Sequence, residues 1–170
     1  MSVETIQASA IAAPTRVAPA PTLILGVGNI LLRDEGAGVR AVEVLREMDL
    51  PRGVEALDGG TLGVDLVDLI AGRERLIVID VVRAGGPPGT VYRLSPDDLS
   101  RPDVPHISLH QTGLLEALLM AGRLSCAPRE ITIFGVEPRV IDYGLDLSRE
   151  VAAVLPRVIG LVLAMVCAPA

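Results

Sequence analysis

The sequence predicts a single three-layer α/β/α domain with a mostly parallel twisted sheet and one antiparallel edge strand. Two observations carry that fold class. Short apolar runs closed by Gly, Asn or Asp alternate with segments whose apolar residues recur at helical spacing. The runs are also apolar at consecutive positions, as expected of strands in a parallel sheet with both faces covered by helices. At 170 residues and 17.8 kDa the chain is about one domain long. A chain of that size buries roughly 70% of its unfolded surface and needs no disulfide or metal staple.

Residues 1 to 21, rich in Ala, Pro, Ser and Thr without period, read as a mobile tail, which leaves 22–170 for the domain. Thr22–Val27 is the first buried strand, closed by Gly28-Asn29. Val39, Val42, Val44, Leu45 and Met48 then follow a helical period, with Arg and Glu between them and Pro51 as the stop. Val54–Leu57 is a second strand, ending in Asp58-Gly59-Gly60-Thr61, and a helix is expected from Val64 to Ala71 with Gly72 behind it. Arg75–Asp80 is the strongest strand in the chain, β-branched and acidic at its carboxyl end. Gly85–Gly89 reads as a loop, Thr90–Leu94 as the edge strand, and residues 95–107 as irregular connection or a single turn. Ser108-Leu-His-Gln111 has the form of a capping box opening a helix that stops near Gly122. Glu130–Glu137 is a further strand ended by Pro138; Ser148 caps the last helix, in which Pro156 should introduce a kink.

Composition narrows the functions. Net charge is −6, with fifteen Arg, no Lys and no Trp. An acidic chain with neither a basic stripe nor aromatic platforms is poorly equipped for nucleic acid. The two cysteines, Cys126 and Cys167, form no framework, and the N-terminus lacks the marks of a secretory signal, so a cytoplasmic location is expected. Val158–Ala170, the most apolar stretch, is shorter than the ~20 residues that span a bilayer, so no membrane insertion is expected.

In a parallel α/β sheet the site lies at the carboxyl ends of the strands, near a change in strand order. The loop there begins Gly26-Val-Gly28, but a dinucleotide fingerprint needs a third Gly where this chain has Leu31, so no cofactor-binding residues are assigned. There is no Lys for a phosphate loop, no G-x-S-x-G elbow and no Cys beside a His. What remains is carboxylates and a histidine. Asp34 and Glu35 open the first helix, where capping accounts for Asp34 but does not require the second acid. Asp58 is either a turn former or a functional acid. Asp80, after four apolar residues at a strand end, is costly unless paired or bound. His110 sits in the first turn of its helix, where the dipole favours the neutral imidazole that a metal needs, although a packing role serves as well. His106 falls before the Ser108 cap and is set aside. Glu35, Asp80 and His110 together would suit nickel or zinc better than calcium.

Gly26-Val-Gly-Asn-Ile-Leu-Leu-Arg-Asp-Glu-Gly-Ala-Gly-Val39, Leu57-Asp-Gly-Gly-Thr61, Ile79-Asp80 and Ser108-Leu-His-Gln111 occur in that order. Through them the chain resembles the nickel–iron hydrogenase maturation endopeptidases, over about residues 22 to 166. The resemblance implies a protein that removes a C-terminal extension from the hydrogenase large-subunit precursor once nickel is in place. It implies metal contact at Glu35, Asp80 and His110, with nickel carried by the substrate rather than resident. It places the family's Asp-Gly-Gly acid, a candidate catalytic base, on Asp58. A monomer with the precursor as partner is expected. The alternatives are a non-catalytic nickel-handling or assembly factor on the same fold, and a nucleotide-binding domain.

Overall fold

The computed structural model describes residues 18–99 and 109–167, with the backbone alone at 99 and 109–112. Five strands, β1 (Thr22–Val27), β2 (Val54–Gly60), β3 (Arg75–Val81), β4 (Val91–Leu94) and β5 (Glu130–Val136), form one sheet in the order β2-β1-β3-β5-β4. β1 is parallel to β2 and β3, β3 is parallel to β5, and β4 alone runs antiparallel, against β5. The expected α/β architecture, with its antiparallel edge strand, is therefore present.

Among the described residues five α-helices pack on the sheet: α1 (Ala37–Arg46), α2 (Leu66–Ile70), α3 (Pro96–Leu99), α4 (Leu109–Arg123) and α5 (Arg149–Cys167). Strand alternation sends Ile24, Ile77, Ile79 and Val81 to one face, where they pack with Val42 and Leu45 of α1 and Val151, Val158 and Val162 of α5. Leu23, Leu25, Leu76 and Val78 point the other way, against Leu66 and Ile70 of α2 and Leu114 and Ala117 of α4. Leu76 to Ile79 of β3 are wholly buried, and each such side chain contributes about 1.5–3 kcal/mol.

α1 lies so close to the sheet that a Cβ on Gly38 would strike the carbonyl oxygens of both Ile79 and Val27. Only glycine permits that approach.

Three local expectations change. The second strand does not stop at Leu57 but continues to Gly60 through a bulge: Gly26 pairs with Asp58 and Val27 with Gly60, leaving Gly59 as the extra residue. The helix expected from Val64 is split into a 3-10 turn, Gly63–Asp65, and the short α2. The connection after β4 contains the single turn α3, one of the two forms expected there. α5 contains Pro156 as expected, but its apolar run is longer than Val158–Ala170 suggested: at 19 residues with mean hydropathy 2.0 the helix is long and apolar enough to cross a membrane by those criteria alone. Its Val151, Val158, Ile159 and Val162 are nevertheless buried in the domain's own core.

At the start of the domain, Pro21 accepts the amides of Glu74 and Arg75, and Ala20 accepts an Arg73 guanidinium bond of 2.9 Å. Contacts with the sheet thus begin just before Thr22. Ser108, the expected helix cap, and His106 lie outside the described residues.

Candidate active site

The chain leaves β1 for β2 on one side and then crosses to β3 on the other, so strand order reverses between β1 and β3. Loops diverge at such a point and open a crevice beyond the carboxyl ends of the strands. Glu35 follows β1 and Asp80 lies at the end of β3, one on each wall of that crevice.

Glu35 sits in a 3-10 turn, Arg33–Gly36, that precedes α1 rather than in the helix itself. The turn can close because Gly28 has φ +138°, and a Cβ there would collide with the Glu35 carbonyl oxygen. Glu35 is 6% exposed and Asp80 is fully buried. One Asp80 oxygen, Oδ1, accepts the Val81 amide at 2.7 Å; Oδ2 is buried without a hydrogen-bond partner among the described residues. Burial pushes the Asp80 carboxyl well above the usual carboxylate range; the Val81 amide opposes that shift and the charge of Glu35 adds to it. A buried acid with an open oxygen and a second acid beside it is suited to a cation that satisfies both.

By register, Asp80 falls on the face shared by Leu76 and Val78, which is the face covered by α4. His110 belongs to the first turn of α4, whose next turn begins at Gly113 against Gly63, beyond the end of β2. The backbone of His110 is therefore on the same side of the sheet as Asp80, while its side chain lies outside the description. Among the described residues no three His, Cys, Asp or Glu side chains are grouped to hold a metal. Glu35 and Asp80 are two members of the predicted trio.

Asp58 is placed differently. It pairs with Gly26, whose own neighbour on the other side is Ile79, and it shares the α1 face with them. Asp58 and Asp80 thus belong to opposite faces, with backbones two strand spacings apart, roughly 10 Å. Asp58 is exposed, and its Oδ1 accepts the Gly60 amide at 2.7 Å across the bulge. It lines a groove of about 300 Å³ with Gly28, Asn29, Leu31, Val39 and Thr61.

Two acids have roles that the sequence did not disclose. Asp34 is no helix cap. Fully buried, it accepts the amides of Arg139 and Val140 at 2.9 Å, the amide of Ser148 at 2.6 Å and the Ser148 hydroxyl at 2.9 Å. It thereby fastens the 138–148 loop to the loop that carries Glu35. Glu137, just past β5, accepts the Ala84, Gly85 and Gly86 amides and the Tyr92 hydroxyl, fixing the segment that follows Asp80. Burial first, then the Glu137 carboxylate, raises the Tyr92 phenol and keeps it a donor. The signal for Glu137 was available: like Asp80, it is an acid at the end of an apolar strand.

The family model for hydrogenase maturation proteases matches residues 39–165. The hydrogenase 2 maturation protease of Escherichia coli K12 is 39% identical over 144 residues, covering 84% of this chain and 88% of its own. The hydrogenase expression/formation protein HupD of Thiocapsa roseopersicina is 42% identical over 132 residues, 76% of this chain; the match spans only 60% of that relative's length. Among solved structures, the E. coli hydrogenase maturating endopeptidase HybD superposes with a TM-score of 0.77 at 37% identity, covering 85% of this chain and 90% of that one. The [NiFe] hydrogenase maturation protease HybD of Thermococcus kodakarensis gives 0.71 at 30% identity, covering 85% and 98%. By fold and by sequence over most of its length, the chain belongs to the hydrogenase maturation protease family.

Proposed function

We propose that this protein is an endopeptidase that removes the C-terminal extension of a nickel-loaded nickel–iron hydrogenase large-subunit precursor. The carrying observation is the Asp80 carboxyl: buried, with an open oxygen, beside Glu35, at the reversal of strand order. Such a pair fits a divalent cation, and the imidazole of His110 would supply a third, softer ligand. The cation is substrate nickel, docked rather than resident.

Asp58 acts as general base. It takes a proton from the attacking water, the peptide C–N bond breaks as the new carboxyl forms, and the proton passes to the leaving amine. Its placement favours docking over activation of water by the metal. Two strands from Asp80 and on the other face, Asp58 is set to work on a bond some distance from the cation. Nickel held by Glu35 and Asp80 then fixes where the scissile bond falls.

The test is the intact mass of the precursor after mixing with this protein, with and without nickel loading. Loss of a C-terminal peptide from the nickel-loaded form alone supports the proposal. Loss from both forms leaves the peptidase and refutes docking. An unchanged mass in both, with Glu35→Gln equally inert, would identify an assembly factor instead.

A further inference from the structure

We propose that Leu31, Tyr143 and Leu145 form a fixed apolar lip that seats the precursor polypeptide beside the bond to be cut; the proposal rests on the peptidase reading above. Tyr143 is 87% exposed, Leu145 60% and Leu31 57%. Large apolar side chains held in water are unexceptional on a slack loop. This loop is not slack.

The Gly144 amide donates to the Leu31 carbonyl at 2.9 Å, and the Arg33 amide donates to the Gly144 carbonyl at 3.0 Å, a small bridge between two loops. Behind that bridge, Asp34 holds both ends of the 138–148 segment with four hydrogen bonds. The backbone on either side of Tyr143 and Leu145 is therefore anchored, and the two side chains stand out from a fixed base. A pre-organised aromatic and aliphatic pair of this kind loses little entropy on binding, and tyrosine is a frequent anchor of protein interfaces.

The occupant follows from what the lip adjoins. Leu31 belongs both to the bridge and to the groove that contains Asp58, so a chain lying on the lip continues into the groove. Leu62 and Val64, just past Thr61 of that groove, are 47% and 46% exposed and extend the apolar rim. Exposed Asp142 and Asp146 flank the lip in sequence. An apolar segment of polypeptide with a cationic neighbour meets both features; a nucleic acid or an acidic peptide meets neither.

The experiment compares the wild-type protein with Tyr143→Ser/Leu145→Ser in steady-state cleavage of the nickel-loaded precursor, with Leu161→Ser on α5 as a surface control. The lip predicts a KM raised about tenfold or more, kcat within about twofold, and an unchanged melting temperature, because a lost hot spot weakens binding without touching the chemistry. Unchanged KM in the double variant, or an equal rise in the Leu161→Ser control, overturns it. Should the wild type leave the precursor intact, the peptidase reading fails, and the lip is judged by Kd for the same precursor. A variant about tenfold weaker upholds the lip and an equal affinity refutes it.

Discussion

Replacing Asp34 by Ala tests whether this buried carboxylate is a structural fastening. The side chain is inaccessible to water and accepts four hydrogen bonds, two from Ser148 and one each from the Arg139 and Val140 amides. Its removal strands the Ser148 amide, which is buried, and loosens two amides nearer the surface that water can reach. A buried donor without a partner costs about 1–3 kcal/mol, and hydrogen bonds to an ionised acceptor are worth about 1.5–3 kcal/mol each. The Arg139 and Val140 amides regain part of theirs from solvent. A net loss of about 3–5 kcal/mol follows, a large share of the ~5–15 kcal/mol available to a domain. At about 2–4 °C per kcal/mol for a chain of this size, the melting temperature should fall by roughly 6–20 °C. Calorimetry with urea titration measures it, and Ser148→Ala, losing its hydroxyl bond to Asp34 and the acceptor of the Val151 amide, should lose about 1–2 kcal/mol. The opposing term is the cost of keeping Asp34 itself out of water. If that cost dominates, Asp34→Ala will be neutral or stabilising, and the fastening argument is wrong.

Asp58→Asn should reduce cleavage by about a hundredfold or more, as removal of a general base does, while shifting the melting temperature little. The exposed side chain keeps an oxygen for the Gly60 amide; turnover by intact mass and a thermal melt together check this. Asp80→Asn should stabilise the free protein at neutral pH and abolish nickel-dependent recognition. Because burial, and then the charge of Glu35, raise the Asp80 pKa in the folded state, the folded chain holds a proton that the unfolded chain has already released. Wild-type stability attributable to this group is therefore full below the ordinary carboxylate range and declines as pH climbs through the folded pKa. Urea melts of both proteins from about pH 4, near the ordinary carboxylate pKa, upwards should show a widening gap in favour of Asn; a constant gap would contradict it. Gly38→Ala should cost about 3 kcal/mol or more, since the added carbon meets backbone on both β1 and β3 that cannot turn aside. A melting temperature equal to wild type would show that α1 can shift outward freely.

Much of the fold could be read because its signals are local. Arg75–Val81 is continuous and β-branched, and nothing but a buried parallel strand accommodates it. Asp80 could be singled out because an acid at the end of an apolar strand demands a partner wherever it occurs, and Glu35 because capping left a second acid beside Asp34 unexplained. Asp34 could not be understood that way. Its partners lie 105 to 114 residues along the chain, and helix capping offered a sufficient local account. The orientation of Asp58 was hidden for a different reason. Where β2 ends decides whether the acid is in a turn or on a strand face, and Gly59-Gly60 signals a turn and a bulge equally well. The length of the last apolar run was hidden in the same manner: Pro156 and Arg157 interrupt it locally, yet a helix held on one side by Val151, Val158 and Val162 continues through them.

The glycine that lets α1 rest on the backbone of Val27 and Ile79 also determines how the crevice can behave over time. The two strands that carry its walls are clamped to one helix at their adjacent ends, with no side chain between to yield. Glu35 and Asp80 therefore keep their separation whether or not a cation lies between them, and the proton that burial holds on Asp80 relieves the repulsion that two ionised acids so placed would feel. Admission is then governed by the size and charge of what arrives, and departure requires no hinge to open.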